Sequence, residues 1–150
     1  MTATSSAQIG ANAAWAEGYT GAGSRVAIID TGIDDEHISF DGDALLYSLE
    51  QAAAERDMSA DEYIASLDLL DQDEISSVLG ELNADVNAAS AYVSEKIPYG
   101  YNYVDRNYNI THMTDTQEEH GSHVTGIAAA NRFVPQAGSS PRPRFRTIIP

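Results

Sequence analysis

The sequence predicts an α/β fold of three layers, in which a parallel sheet has helices on its faces and carries a helical insertion. Three observations favour this fold. A continuous apolar run, VAII, leads directly into Asp30. A segment of small and apolar residues, GSHVTGIAAAN, follows His120. Between these two segments, residues 41–96 place apolar side chains at helical spacing.

Two segments are predicted to be strands of the sheet. Residues 25–30, RVAIID, form a short apolar run, which is typical of a strand buried on both faces of a parallel sheet. Residues 97–104, IPYGYNYV, alternate aromatic with other residues, which is typical of a strand with two different faces. A carboxylate at the end of the first strand, at Asp30, lies where open α/β sheets place their functional groups.

The helices are predicted from apolar spacing and from the residues that begin and end them. Residues 7–17 form a short helix that Gly18 ends, and the small residues after His120 form a helix over about 120–130. Residues 41–96 are predicted to form three or four short amphipathic helices with acidic outer faces, expected on the rim of the domain rather than in the sheet. Within them, Ser59 and Glu62 have the spacing of a capping box.

The composition excludes several classes of partner and site. The net charge is −15, and all 23 acidic residues lie at or before Glu119, together with only four basic residues. A body this acidic repels nucleic acid and anionic membranes, so we expect neither as a partner. The absence of cysteine excludes disulfides and thiolate metal sites. No run approaches the roughly 20 apolar residues of a membrane span, and the first residues lack the features of a signal peptide.

Asp30 and His120 are the candidate site residues. A carboxylate buried at a strand end is costly unless a neighbour donates hydrogen bonds to it, and an imidazole N–H is a suitable donor. The carboxylate in turn fixes the tautomer of the histidine and stabilises its charged form. Because the helix that begins at His120 has small side chains, it can approach the sheet closely enough to bring the two groups together.

The segments VAIIDTGID and HGSHVTGIAAAN resemble the aspartate and histidine motifs of the subtilases, the subtilisin-like serine peptidases. The segment GANAAWAEGYTGAGS before them resembles the start of the subtilase catalytic domain, and KIPYGYNYVD is most similar to the large cell-envelope proteinases related to lactocepin. The order of aspartate before histidine also agrees with subtilisin. The resemblance implies a subtilisin-like fold, peptide-bond hydrolysis and protein or peptide substrates, with Asp30 orienting the imidazole and His120 as general base. It also implies a secreted or cell-envelope location.

Other histidines and possible metal ligands give weaker signals. No third residue lies at a spacing typical of zinc ligands from His120 and His123, so a zinc site is not predicted. His123 is expected to pack against neighbouring residues or to form hydrogen bonds. His37 and His112 lie in polar loops, where we expect them to be solvated. Ser39 occupies the position at which many subtilases have a calcium-binding aspartate, so the family resemblance does not imply a metal site in this chain. No cofactor is predicted.

The resemblance stops near Asn131, and the catalytic serine motif of the family is absent. Ser122, Ser139 and Ser140 do not lie in such a motif, so none is expected to be the nucleophile. We therefore expect residues 7–131 to be the N-terminal part of a peptidase domain and residues 132–150 to be an irregular basic tail, not native to the fold. We expect such a chain to be a truncated or frame-shifted product and to be inactive alone. A genuine divergent tail, and a noncatalytic acidic binding module derived from a subtilase, remain open as alternatives.

Overall fold

The computed structural model describes residues 2–82, 85–111 and 119–135, and the described part of the chain is helical. The helices are α1 (Thr2–Gln8), α2 (Ala11–Ala16), α3 (Gly42–Ala54), α4 (Ala60–Ser66), α5 (Gln72–Leu82), α6 (Ala88–Ala91) and α7 (His120–Ala129). The predicted helix over residues 7–17 is divided, because Gly10 has a φ of 78°, a left-handed conformation that breaks the helix between α1 and α2.

Among the described residues, the segment 41–96 contains the four helices α3 to α6 and supplies most of the hydrophobic core. The largest buried cluster joins α3 to Tyr63 on α4. Its buried members are Leu45, Leu49, Ala52, Ala53 and Tyr63. These residues recur on one face of each helix, since side chains three and four positions apart share a face. The prediction of short amphipathic helices in this segment is confirmed.

The predicted capping box at the start of α4 is present. The Ser59 hydroxyl accepts from the Glu62 backbone N–H at 3.3 Å, and the Glu62 carboxylate accepts from the Ser59 backbone N–H at 3.1 Å. The Ser59 hydroxyl also donates to the Glu62 carboxylate at 2.7 Å, and this bond, followed by the one from the Ser59 backbone N–H, lowers the pKa of Glu62. The same reciprocal arrangement links Asp71 and Glu74 at the start of α5.

Replacing Ser59 with alanine is expected to lower the free energy of unfolding by about 0.5–2 kcal/mol, because the first turn of α4 loses a partner for one backbone N–H. Denaturant unfolding of the two proteins measures the difference. Ser76→Ala is the matched control, since Ser76 is exposed in the middle of α5 and alanine is the better helix former there. Equal losses in the two variants would contradict a capping role for Ser59.

The two ends of the insertion lie side by side. A Cβ atom placed on Gly42, the first residue of α3, would lie 3.5 Å from the Cβ atom of Ser94. Nearby, the backbone N–H groups of Val93 and Ser94 both donate to the carbonyl of Ile97. The first and last parts of the helical segment 41–96 therefore lie close together.

The predicted strand over residues 25–30 is not formed among the described residues. This segment has no regular secondary structure, and it is exposed rather than buried: the exposed fraction is 52% for Val26 and 99% for Ile29. A strand exists only when a neighbouring chain accepts and donates its backbone hydrogen bonds, and the described residues provide no such neighbour. The predicted parallel sheet is therefore not observed in the described part of the chain.

The strand predicted over residues 97–104 is also wrong. Gly100 N–H donates to the carbonyl of Ala91, but the segment otherwise bends and turns, with one isolated antiparallel bridge between Asn102 and Asn107. The Asn102 side chain accepts from the backbone N–H groups of Val104 and Asp105. These local bonds replace those of a strand ladder and fold the chain into a turn.

The helix predicted over about 120–130 is confirmed as α7. After it, residues 132–135 have no regular structure, and the remainder of the predicted basic tail, residues 136–150, lies outside the described residues, as does His112. Within the described ranges, no helix has the length and apolar character needed to cross a membrane.

Candidate active site

Asp30 and His120, 90 residues apart in the sequence, meet at the start of α7. The distance between Asp30 Oδ1 and His120 Nδ1 is 2.7 Å, which is a hydrogen bond with good geometry. The structure therefore brings together the two residues that the sequence singled out. The side chain of Asp30 is 15% exposed and that of His120 is 62% exposed, so the imidazole ring is more open to solvent than the carboxylate.

Three donors converge on the same carboxylate oxygen of Asp30. Besides His120, the backbone N–H of Thr31 donates at 2.8 Å and the Thr31 hydroxyl at 3.3 Å. These interactions lower the pKa of Asp30, with the hydrogen bond to His120 as the largest cause and the Thr31 backbone N–H as the next. Asp30 is therefore ionised at neutral pH and acts as an acceptor toward the imidazole.

An ionised acceptor at Nδ1 determines how the imidazole of His120 can act. The proton of the neutral ring is held on Nδ1, which leaves Nε2 with a free lone pair. A histidine in this tautomer can take a proton at Nε2, and the carboxylate of Asp30 stabilises the imidazolium that results. The pair therefore has the chemistry of a general base with its orienting carboxylate.

Thr31 joins the turn after Asp30 to the helix that carries His120. Its hydroxyl oxygen accepts from the backbone N–H of Gly121 at 3.2 Å while the hydroxyl donates to Asp30. The first N–H groups of a helix have no partner within the helix, so this bond satisfies one of them. Sequence reasoning missed this role of Thr31, although a hydroxyl residue directly after the aspartate was a visible signal.

Ser122 forms a second link between the turn and α7. Its hydroxyl oxygen accepts from the backbone N–H of Asp34 at 2.8 Å, and the adjacent Ile33 N–H donates to the carbonyl of Ile110 at 2.8 Å. The sequence identified Ser122 only as an unsuitable nucleophile. The structure places it as a residue that fixes the turn against the helix.

Gly121 allows α7 to lie against the Asp30 turn. A Cβ atom at position 121 would lie 2.0 Å from the carbonyl oxygen of Gly32 and 2.9 Å from its nitrogen, distances that real Cβ atoms essentially never show. Backbone therefore packs directly on backbone at this point. The prediction that small residues bring the histidine helix close to the aspartate is confirmed here, although the contact is to a turn rather than to a sheet.

The other histidines of the described residues lie away from the Asp30–His120 pair. His123 is exposed and lines a cleft of about 800 Å³ between α2, the 34–40 turn and α7, together with Trp15 and Phe40. His37 is exposed as expected, and its Nδ1 accepts from the backbone N–H of Ser39 at 3.1 Å. In the described ranges, no three residues of the types His, Cys, Asp and Glu are grouped so that they could hold a metal ion.

The carboxyl group of Asp30 is expected to titrate below the ordinary aspartate range, and His120→Ala is expected to return its pKa toward that range. Because the folded pKa lies below the unfolded value of about 3.9, the pair stabilises the fold above that pH. The stabilisation is lost as the pH falls through the folded pKa. Carboxyl ¹³C NMR measures the titration, with His123→Ala as control. Equal Asp30 titrations in wild type and His120→Ala would contradict the assignment.

Comparison with known proteins agrees with the motifs. The profile of the subtilase family matches residues 21–139, which include Asp30 and His120. A PII-type proteinase of Lacticaseibacillus paracasei is 32% identical over 113 residues. A PII-type and a PI-type proteinase of Lactococcus lactis subsp. cremoris are each 31% identical over 115 residues.

These matches cover 75% of this chain but only 5% of the length of each of the three relatives. No solved structure matches the chain significantly. Family membership rests on the profile, which spans most of the 150 residues and both motifs, and it supports an α/β subtilisin-like fold and serine peptidase function in general. The chain belongs to the subtilase family.

Proposed function

We propose that this chain carries the aspartate–histidine half of the catalytic site of a serine endopeptidase. The observation that carries the proposal is the 2.7 Å contact between Asp30 Oδ1 and His120 Nδ1. In this mechanism His120 Nε2 takes the proton of a serine hydroxyl as that oxygen attacks the substrate carbonyl, and it later gives the proton to the leaving amine. Asp30 orients the ring and stabilises its charged form. The substrates are proteins or peptides, reached outside the cell or at its envelope, as the family resemblance implies.

The reaction also requires a nucleophile and donors for the developing oxyanion. The 150 residues contain no Gly-Thr-Ser-Met-Ala type motif, in which the family places its serine. We propose that peptide hydrolysis belongs to a polypeptide that carries such a motif together with residues 7–131, and that the 150 residues alone are inactive. Ser122 supports this proposal, because its hydroxyl is engaged by the backbone of Asp34.

The test compares two proteins with a broad peptide substrate and a serine-reactive fluorophosphonate. A protein that joins residues 1–135 to the remainder of a subtilase catalytic domain, which supplies the serine motif and the oxyanion donors, is expected to hydrolyse the substrate, to be labelled, and to lose turnover in His120→Ala. His123→Ala, three residues along the same helix, is the matched control and is expected to keep its activity. The 150-residue chain is expected to show neither turnover nor label.

Two results would overturn the proposal. Turnover by the 150-residue chain, with label on Ser122, Ser139 or Ser140, would place the nucleophile within these residues. Full activity of His120→Ala in the longer protein would remove His120 from the mechanism. Absence of turnover in every form, with specific binding of acidic or basic peptides instead, would favour a noncatalytic binding module.

A further inference from the structure

Residues Asn131 to Phe133, which begin two positions after the end of α7, contact the first helix of the insertion and the segment that leads into it. Asn131 is buried, and its backbone N–H donates to the carbonyl of Ser39 at 2.8 Å. Its side-chain amide donates to the carbonyls of Ile38 and Asp41, each at 3.3 Å. Asp41 is the N-cap of α3, where its carboxylate accepts from the Ala44 backbone N–H. Asn131 therefore ties the chain after α7 to residues 38–41, the segment that leads directly into α3.

The next two residues continue along the same helix. The backbone N–H of Phe133 donates to the buried hydroxyl of Ser48 at 3.1 Å, and its ring packs on the core cluster of α3 and α4. The guanidinium of Arg132 pairs with Glu55, the C-cap of α3, at 2.7 Å and lies over the Phe133 ring. We call Asn131, Arg132 and Phe133 the α3 anchor.

The contacts of the anchor differ in strength. The Arg132–Glu55 pair has both side chains about half exposed, at 51% and 46%, so solvent screens it and it contributes little. Asn131 is buried and Phe133 is partly buried, so lost hydrogen bonds and lost apolar contacts are more costly there than at the exposed ion pair. The Asn131 Oδ1 atom has no partner among the described residues, so this side chain is held through its donors.

The α7 helix joins the anchor to the catalytic pair. His120 is its first residue, and Asn131 lies two positions beyond its last residue, Ala129. A helix of ten residues is a rod about 15 Å long that moves as a unit. At one end it is held by backbone contact with the Asp30 turn, and at the other by the anchor. A change at the anchor therefore shifts or loosens the end that carries His120.

We propose that the helical insertion positions His120: through the α3 anchor it holds α7 in the placement that lets the imidazole meet Asp30. The catalytic consequence rests on the function proposed above, whereas the geometric claim does not. Asn131 and Phe133 are positioning residues, because they contact neither Asp30 nor His120. The insertion therefore helps to hold His120 next to Asp30.

Proton NMR of the 150-residue chain tests the proposal without any activity. The Nδ1 proton of His120, shared with the Asp30 carboxylate, gives a low-field resonance whose exchange with water reports how tightly the pair is closed. Asn131→Ala and Phe133→Ala are expected to speed this exchange several-fold or to abolish the signal. Ser48→Ala is a milder variant that keeps the test valid if Phe133→Ala fails to fold, and Glu55→Gln is expected to have the smallest effect.

Val86→Ala is the matched control, since Val86 is buried in the insertion at 6% exposure but lies outside the cluster on which Phe133 packs. It is expected to lower stability and leave the proton exchange unchanged. Equal exchange in wild type and the anchor variants, or an equal increase in Val86→Ala, would overturn the proposal. So would absence of the low-field proton from the wild type, because no closed pair would exist to be positioned. Absence of peptide hydrolysis from the longer protein, together with these NMR results, would instead count against the proposed function alone.

Discussion

Replacing Gly121 with alanine is expected to separate His120 from Asp30 and to lower the free energy of unfolding by about 1–3 kcal/mol, the usual cost of forcing extra atoms into a packed site. The added methyl group would lie 2.0 Å from the Gly32 carbonyl oxygen. Because that neighbour is backbone rather than a flexible side chain, α7 or the turn has to move. The movement also breaks the bond from the Gly121 N–H to the Thr31 hydroxyl.

Gly126→Ala is the matched control for this substitution. It lies on the same helix, and its added methyl group would be 3.8 Å from the nearest atom of Phe40, an ordinary contact. Alanine is a better helix former than glycine by roughly 1 kcal/mol, so this variant is expected to be as stable as wild type or more stable. Denaturant unfolding and the low-field proton of His120 measure both effects. Similar behaviour of the two alanine variants would show that backbone contact at Gly121 does not hold the site together.

Replacing Asp30 with asparagine is expected to lower kcat by about 10⁴ in an active protein that carries this site, the loss known for the equivalent change in a serine protease triad. The neutral amide cannot stabilise the imidazolium, and it can donate to Nδ1 and so select the wrong tautomer of His120. The KM is expected to change little, because the lost interaction is made in the transition state rather than in substrate binding.

Steady-state kinetics with a peptide substrate measures this effect, with Glu36→Gln as control. Glu36 is an exposed carboxylate close to Asp30 in sequence, and its neutralisation changes the charge without touching the Asp30–His120 pair. That control is expected to retain the wild-type kcat. An Asp30→Asn protein that is folded and keeps kcat within tenfold of wild type would contradict the role assigned to the carboxylate.

Local features of this chain could be predicted from the sequence because short-range contacts determine them. The α4 helix follows from a serine and a glutamate at capping-box spacing, and α7 follows from small residues after His120. The Asp30–His120 contact is long-range, yet it was predictable, because the two motifs together resemble a known family. The α3 anchor was not predicted, because neither the residue types nor the local sequence pattern of Asn131 and Phe133 indicates which helix they contact.

The predicted strands show where such reasoning fails. An apolar run indicates what a segment would bury, but strand formation depends on a partner elsewhere in the chain. Val26 and Ile29 remain exposed because the described residues include no such partner. In residues 97–104 the alternating tyrosines pack on one another instead: Tyr101 makes edge contacts with Tyr103 and Tyr108, and the hydroxyls of Tyr99 and Tyr103 are 2.8 Å apart. Alternation alone does not distinguish a sheet face from an aromatic cluster.

The contact between Gly42 and Ser94 has a consequence for the entropy of closing the site. Asp30 and His120 are separated by 90 residues, and the cost of bringing two points of a flexible chain together rises with the logarithm of the length between them. Once the ends of the insertion are joined, the effective length between the two residues falls to roughly 40, which reduces that cost by about 0.7 kcal/mol. A folded insertion with joined ends thus makes the connection between Asp30 and His120 behave as a much shorter loop.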